Sequence, residues 1–115
     1  MTAFVLVHSP LVGPSSWAGM AAVLRERGRA AVVPSLLGVD ASYRAFAGAV
    51  VSALDEPSVL VVHSGAGALV PAVVEAAGSQ VTAAVFVDAT LPYPGRAWTE
   101  TVAAELAAHL RSLAD

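Results

Sequence analysis

The 115-residue sequence contains no cysteine and no lysine. Without cysteine it can form neither disulfide bonds nor thiolate metal sites. Its six basic residues are all arginines spread along the chain, and the formal net charge is −3. Because nucleic-acid-binding domains carry clustered basic residues, we expect no nucleic-acid partner. Nothing in the sequence supports a metal or an organic cofactor.

Charged residues are also scarce, at 13% of the chain, whereas 57% of residues are hydrophobic and the mean hydropathy is +0.70. Ordinary soluble domains have about a quarter of their residues charged, so this composition excludes disorder and predicts a large apolar surface. No apolar run reaches the roughly 18 residues of a membrane-spanning helix. The first residues, MTAFVLVHSP, lack the basic and long apolar regions of a secretory signal. We therefore expect a cytoplasmic protein with no membrane partner.

Four short apolar runs alternate with segments of helical length. The predicted strands are 4–8, 30–36, 59–63 and 81–88, and the predicted helices between them are 15–28, 41–56 and 67–78. The strand runs are continuously apolar, which is typical of strands buried on both faces of a parallel sheet. Alternation of strand and helix predicts right-handed βαβ units and a doubly wound sheet.

After Asp88 the pattern changes to a loop rich in proline and glycine at 89–98, followed by a helix at 99–115. We expect Val102, Leu106, Leu110 and Leu113 to share one face of that helix. At this length a single domain is expected.

The stretch VLVVHSGAGALVP, residues 59–71, predicts a sharp turn from strand to helix at Ser64. Such a turn exposes a serine hydroxyl beside a backbone N–H that can receive an oxyanion, and it requires small neighbours such as Gly65 and Gly67. The alternative interpretation is an N-cap serine that only starts a helix. Pro71 lies within the expected helix and should remove a backbone hydrogen bond there.

Three segments resemble the α/β-hydrolase superfamily. VVHSGAG resembles the nucleophile elbow around Ser64, with Val62 and Ala66 at the positions of the outer glycines. LVHSPLVGPSSW (6–17) resembles the loop after the first strand, and FVDATLPYPG (86–95) resembles the strand and loop that follow the elbow helix. The three segments occur in the order of that superfamily and cover nearly the whole chain.

The resemblance implies a four-stranded partial sheet of order 2-1-3-4, in which the loops after the first and third strands meet. It also implies an oxyanion hole that combines the N–H of Gly65 with one from the loop after His8. The usual second donor would be Pro10, which has no N–H. Either Leu11 donates instead, or the hole has a single good donor.

The resemblance further implies an acid and a histidine on loops after later strands, which this chain does not include. Asp88 lies where some members of the superfamily carry the acid, although a loop-capping carboxylate is the alternative.

His8 matches a structural histidine of the superfamily. His63 should point away from Ser64 because successive strand residues face opposite ways, and His109 lies near the apolar face of the last helix. No general base is therefore expected within the chain. Two further residues have structural interpretations, Trp17 as a packing anchor under the first loop and Asp40 as a cap.

The sequence predicts one truncated domain over residues 1–115. Residues 1–95 supply the sheet and its helices, and residues 99–115 form a helix that leads toward a missing lid. The expected function is the nucleophile-bearing N-terminal portion of a serine hydrolase acting on a small ester-like molecule, completed by a C-terminal half.

The alternative is a non-catalytic interaction module whose exposed fourth strand and apolar helix faces associate with another copy or chain. A phosphate-binding loop is disfavoured because Val70 replaces the third glycine of the G-x-G-x-x-G pattern.

Overall fold

A computed structural model describes residues 3–92 and 104–114 of the chain. Strands and helices alternate through most of it. The strands are β1 (Ala3–Val7), β2 (Ala30–Val32), β3 (Ser58–His63) and β4 (Val81–Val87). The α-helices are α1 (Ala18–Glu26), α2 (Tyr43–Val51), α3 (Val70–Ala77) and α4 (Ala104–Ala114), and short 3₁₀ helices cover Pro14–Trp17, Ser64–Leu69 and Gly78–Gln80.

The four strands form one parallel sheet of order β2-β1-β3-β4. This confirms the predicted α/β class, the doubly wound arrangement and the strand order. In the pairing of β3 with β4, His63 lies opposite Val87. The carboxyl ends of these strands therefore reach the same edge of the sheet, where open α/β sheets bind ligands.

The sheet is covered on both faces, and each face has its own core. On one face, buried side chains of β1 and β3 pack against α2 and α3 through residues such as Val50 and Val73. On the other face, Leu6 packs with Trp17, Ala21 and Ala31, so α1 and the segment before it cover that side. This layering holds the carboxyl ends of β1 and β3 in fixed positions.

β2 is shorter than predicted and ends at Val32 rather than at residue 36. Pro34 has no N–H to continue the pairing with β1. Further on, the N–H of Leu36 donates to the Nε2 atom of His8 at 2.9 Å instead of to a strand. The apolar run therefore leaves the sheet early and binds the loop after β1.

The environment of β4 differs from the expectation of a strand buried on both faces. Its residues are mostly exposed, including Val85, Phe86 and Val87. Among the described residues β4 pairs only with β3 and forms an edge of the sheet. The continuous apolar run correctly predicted a strand. It is not buried on both faces as the run suggested, and it is exposed as expected for the alternative interaction module.

The helix ends correct two smaller predictions. Pro71 lies in the first turn of α3, where its missing N–H has no helical partner to lose, because residues 64–69 form a separate 3₁₀ helix. At α2 the capping side chain is Ser42 rather than Asp40, since the Ser42 hydroxyl accepts a hydrogen bond from the N–H of Ala45 at 3.1 Å. Gly28 follows α1 with φ of 75°, as expected for a helix stop.

α4 lies within the predicted helix at 99–115, of which residues 99–103 and 115 fall outside the described residues. Leu106 and Leu113 are exposed on it. None of the helices in the described part of the chain is both long and apolar enough to span a membrane.

Candidate active site

Ser64 lies immediately after β3 with a φ of 53°, in the left-handed region of backbone conformation. Serine adopts this conformation rarely, because its Cβ crowds the backbone there. A 3₁₀ helix begins at the same residue, so the chain changes direction abruptly. The backbone strain and the strand-to-helix turn together match the geometry of a nucleophile elbow.

The loop after β4 packs directly against this turn. The N–H of Thr90 donates to the carbonyl oxygen of Ser64 at 3.0 Å. A Cβ atom at Gly67 would collide with the carbonyl oxygen of Thr90 and would lie 3.2 Å from the Cβ of Ala89. Only glycine allows the elbow and this loop to approach so closely.

The loop after β1 lies on the other side of the elbow. An ideal Cβ atom at Gly65 would lie 3.6 Å from the Oγ of Ser9 and 3.8 Å from the Cδ of Pro10. These are ordinary contact distances, so the two loops touch without crowding. The predicted meeting of the loops after β1 and β3 is confirmed.

A cavity of about 260 Å³ opens where these loops meet the start of α2. Its lining comprises Ser9, Pro10, Leu11, Ala41, Ser42, Tyr43, Phe46, Gly65 and Leu69. None of these side chains carries a formal charge, and most of the lining is apolar. The cavity is therefore suited to an uncharged, mainly apolar group.

The two residues considered as second oxyanion donors both line this cavity, but neither has a free N–H. Pro10 has none by its chemistry. The N–H of Leu11 donates to the Oγ of Ser9 at 3.2 Å. In this conformation the backbone of the loop after β1 thus offers no second donor at residues 10 and 11.

His8 is buried and holds two loops together. Its Nδ1 atom lies 2.7 Å from the carbonyl oxygen of Ser9, and its Nε2 atom accepts the N–H of Leu36 at 2.9 Å. Both contacts are satisfied by the neutral tautomer that carries its proton on Nδ1. The structural role predicted for His8 is confirmed.

Neither of the other two histidines forms a hydrogen bond with the Ser64 hydroxyl. His63 places its ring edge-on to Trp17, with the centroids 6.1 Å apart. Trp17 is buried in the core that faces α1, which confirms its predicted packing role. His109 is exposed on α4, so the role predicted for it at an interface stays a prediction. Among the described residues no side chain is hydrogen-bonded to the Ser64 hydroxyl.

Asp88 follows β4 at a position equivalent to that of Ser64 after β3, because the preceding residues Val87 and His63 are paired. It too has a positive φ, of 45°. Its side chain is exposed and forms no ion pair with another described residue. The strand ends thus bring the predicted acid and nucleophile to neighbouring positions, and the role of Asp88 stays a prediction.

Four residues that line the cavity or contact the elbow were not predicted from the sequence, namely Ser9, Tyr43, Phe46 and Thr90. Ser9 had a detectable signal, since it is a hydroxyl-bearing residue beside a proline in the loop after β1. The other residues come from segments distant in sequence, whose placement depends on the folded sheet. In the described part of the chain no cluster of three His, Asp or Glu residues could hold a metal ion.

Searches against family models and curated proteins give no match. Solved structures do match. An extracellular α/β-hydrolase from a Paenibacillus species is described as sharing structural and functional homology with tobacco Salicylic Acid Binding Protein 2. It aligns with a TM-score of 0.85 and 23% identity, over 98% of this chain and 51% of that chain.

Two further structures agree with this result. A variant of polyneuridine aldehyde esterase aligns with a TM-score of 0.69 and 25% identity, over 85% of this chain and 44% of that chain. A variant of tomato methylketone synthase I aligns with a TM-score of 0.70 and 21% identity. The alignment covers 94% of this chain and 46% of that chain. The chain spans about half the length of the structures that it matches. Together with the strand order, this identifies the chain as the front half of the α/β-hydrolase fold.

Proposed function

We propose that this chain is the N-terminal, nucleophile-bearing portion of a serine hydrolase that acts on a small ester-like molecule. The observation that carries the proposal is the left-handed backbone at Ser64, on a turn that is packed between the loops after β1 and β4. Strain of this kind persists only where the surrounding structure enforces it, and it concentrates at functional sites.

In the proposed reaction the Oγ of Ser64 attacks the carbonyl carbon of the ester. The Ser64 proton passes to a base, and the N–H of Gly65 stabilises the negative oxygen that forms. The carbon–oxygen bond to the alcohol then breaks, and the base returns the proton to the leaving alcohol. Water completes the cycle by releasing the acid from Ser64. Asp88 is the candidate for the acid that orients the base.

The base is supplied from outside the described residues, because none of the described histidines is hydrogen-bonded to the Ser64 hydroxyl. We propose a complementing C-terminal half that docks beside β4, since the matched structures are about twice as long as this chain. The esterase among those structures supports an ester-like substrate. A cytoplasmic location is retained as a prediction, although one matched protein is described as extracellular.

The nucleophile can be tested by labelling with a fluorophosphonate probe, using added imidazole as the base. Ser64 Oγ attacks phosphorus, fluoride leaves and imidazole takes the proton, so each labelled chain gains the phosphonyl mass. We expect labelling of the wild type and of Ser79→Ala, an exposed serine control, but not of Ser64→Ala. Labelling that is absent, or that survives in Ser64→Ala, contradicts the proposal.

A second candidate function is a non-catalytic association module, and the exposed β4 specifically favours it. Val85, Phe86 and Val87 give this edge strand apolar side chains on both faces. An unpaired apolar edge is a template for pairing with another chain. In this case the partner would be a second copy.

Sedimentation velocity at micromolar concentration tests the association. We expect a dimer or larger species that Val85→Lys disperses. Val23→Lys, at an exposed position of α1, should leave the species intact. A wild-type chain that sediments as a monomer contradicts the second candidate.

A further inference from the structure

Ser9 is the one buried hydroxyl beside the elbow among the described residues, and its surroundings suggest a chemical role. It is only 2% exposed, and it lines the cavity together with Gly65. Its Oγ atom lies 3.6 Å from the position that a Cβ at Gly65 would occupy. The hydroxyl is therefore next to the residue whose N–H is proposed to receive the oxyanion.

The hydrogen bonding of Ser9 leaves its proton available. The Oγ atom accepts the N–H of Leu11 at 3.2 Å. A hydroxyl accepts with its lone pairs, so this bond does not use the proton. No described residue accepts a hydrogen bond from this hydroxyl. The bond to Leu11 instead restricts where the Ser9 oxygen lies.

The backbone of Ser9 is also fixed. Its carbonyl oxygen receives a bond from the Nδ1 of His8, whose other nitrogen is bound to the N–H of Leu36. A buried ring thus joins the loop after β1 to the segment after β2. A donor held in this way loses little entropy when a negative oxygen arrives, which is the property that makes an oxyanion donor effective.

We propose that the hydroxyl of Ser9 is the second oxyanion donor, in place of the backbone N–H groups that Pro10 lacks and Leu11 has already used. This inference rests on the proposed function, because it assigns Ser9 to the oxyanion that Ser64 would generate. It changes the nature of the hole from two backbone donors to one backbone donor, Gly65, and one side-chain donor. The donor can then be removed by a single substitution.

The first test uses dimethylphosphinate, an unreactive anion with tetrahedral phosphorus, and follows the Gly65 amide by two-dimensional NMR. We expect saturable shifts at Gly65 in the wild type. Ser9→Ala should bind the anion about tenfold more weakly, as for the loss of one hydrogen bond to a charged group. Ser9→Thr retains a hydroxyl and should retain binding.

The matched control is Ser35→Ala. Ser35 Oγ accepts the N–H of Leu37 at 3.2 Å, which is the same local bond that Ser9 forms with Leu11, but Ser35 is exposed. This variant should bind the anion as the wild type does. The inference is overturned if Gly65 does not respond in the wild type, or if Ser9→Ala binds as tightly as the wild type.

The second test repeats the fluorophosphonate labelling with Ser9→Ala. Removal of one oxyanion donor should slow labelling of Ser64 by about 100-fold. Labelling that depends on Ser64 but not on Ser9 overturns the inference and leaves the nucleophile in place. Anion binding that depends on Ser9, without any labelling of Ser64, shows that Ser9 donates to a bound anion but overturns the proposed nucleophile, and with it the role of Ser9 in catalysis.

Discussion

β3 and β4 are neighbouring parallel strands of similar apolar composition, yet their environments are opposite. Leu60 in β3 is 1% exposed, whereas Val85 in β4 is 46% exposed. β3 has a strand on each side and a core on each face, while β4 has β3 on one side only within the described chain. Apolar residues of this kind specify a strand, but burial is decided by the elements that surround it.

The largest expected change in the free energy of unfolding comes from a substitution in β3, and the matching substitution in β4 should change it little. Leu60→Ala should lower the free energy of unfolding by about 2–5 kcal/mol, because it leaves a cavity in a packed core. Val85→Ala should lower it by less than about 1 kcal/mol, because the side chain is already half in water. Urea denaturation followed by circular dichroism measures both.

The outcome for Val85→Ala also reports on β4 in solution. A cost comparable to that of Leu60→Ala would mean that β4 is covered, by a second copy or another chain. The contrast between the two strands would then belong to the isolated chain and not to the working protein.

A second contrast lies within the elbow, whose two sides face different loops. Gly67→Ala should cost about 1–3 kcal/mol in the free energy of unfolding, because the new Cβ collides with the backbone at Thr90. The atoms that the new Cβ meets belong to the backbone, which cannot shift as easily as the end of a flexible side chain.

Gly65→Ala is the matched control, since its new Cβ meets only ordinary contacts with Ser9 and Pro10. We expect it to change the free energy of unfolding by less than about 0.5 kcal/mol in the same urea experiment. Equal losses of unfolding free energy in the two variants would show that the loop after β4 does not pack against the elbow.

Much of the fold could be predicted from the sequence because it depends on local patterns. Strand-forming runs, helix-length spacers and the glycine after α1 are read within short windows. The order of the strands came from the resemblance of three segments to the α/β-hydrolases. Local patterns failed where a neighbour decides the outcome, as at β2, whose run leaves the sheet so that Leu36 can bind His8.

The candidate site was predictable to a similar extent. Ser64 and Gly65 stand out because a strand stops there and small residues follow. Two features of the site could not be predicted from short sequence patterns, because they depend on the folded backbone. They are the hydrogen bond from the N–H of Leu11 to Ser9 and the bond from the N–H of Thr90 to the Ser64 carbonyl. The capping of α2 by Ser42 rather than Asp40 shows the same limit at short range, since both residues are good caps in isolation.

A similarly small effect is expected for the one side-chain hydrogen bond that joins β4 to β3 among the described residues. The Oγ1 of Thr82 donates to the carbonyl oxygen of Ser58 at 3.1 Å. Thr82→Val preserves the shape of the side chain and removes this bond, so it should cost no more than about 1 kcal/mol. Thr82→Ser keeps the hydroxyl and should cost less.

The low value follows from the position of Thr82 on the exposed strand. Because Thr82 is exposed, water competes with this bond and lowers its contribution, although Ser58 itself is buried. If a complementing half were docked beside β4, water would be excluded and the same substitution should become more costly. The free-energy cost of Thr82→Val should therefore be measured for the chain alone and with a candidate partner. A larger cost with the partner would indicate docking beside β4. If a partner binds but the free-energy cost of Thr82→Val does not change, the docking surface lies away from β4.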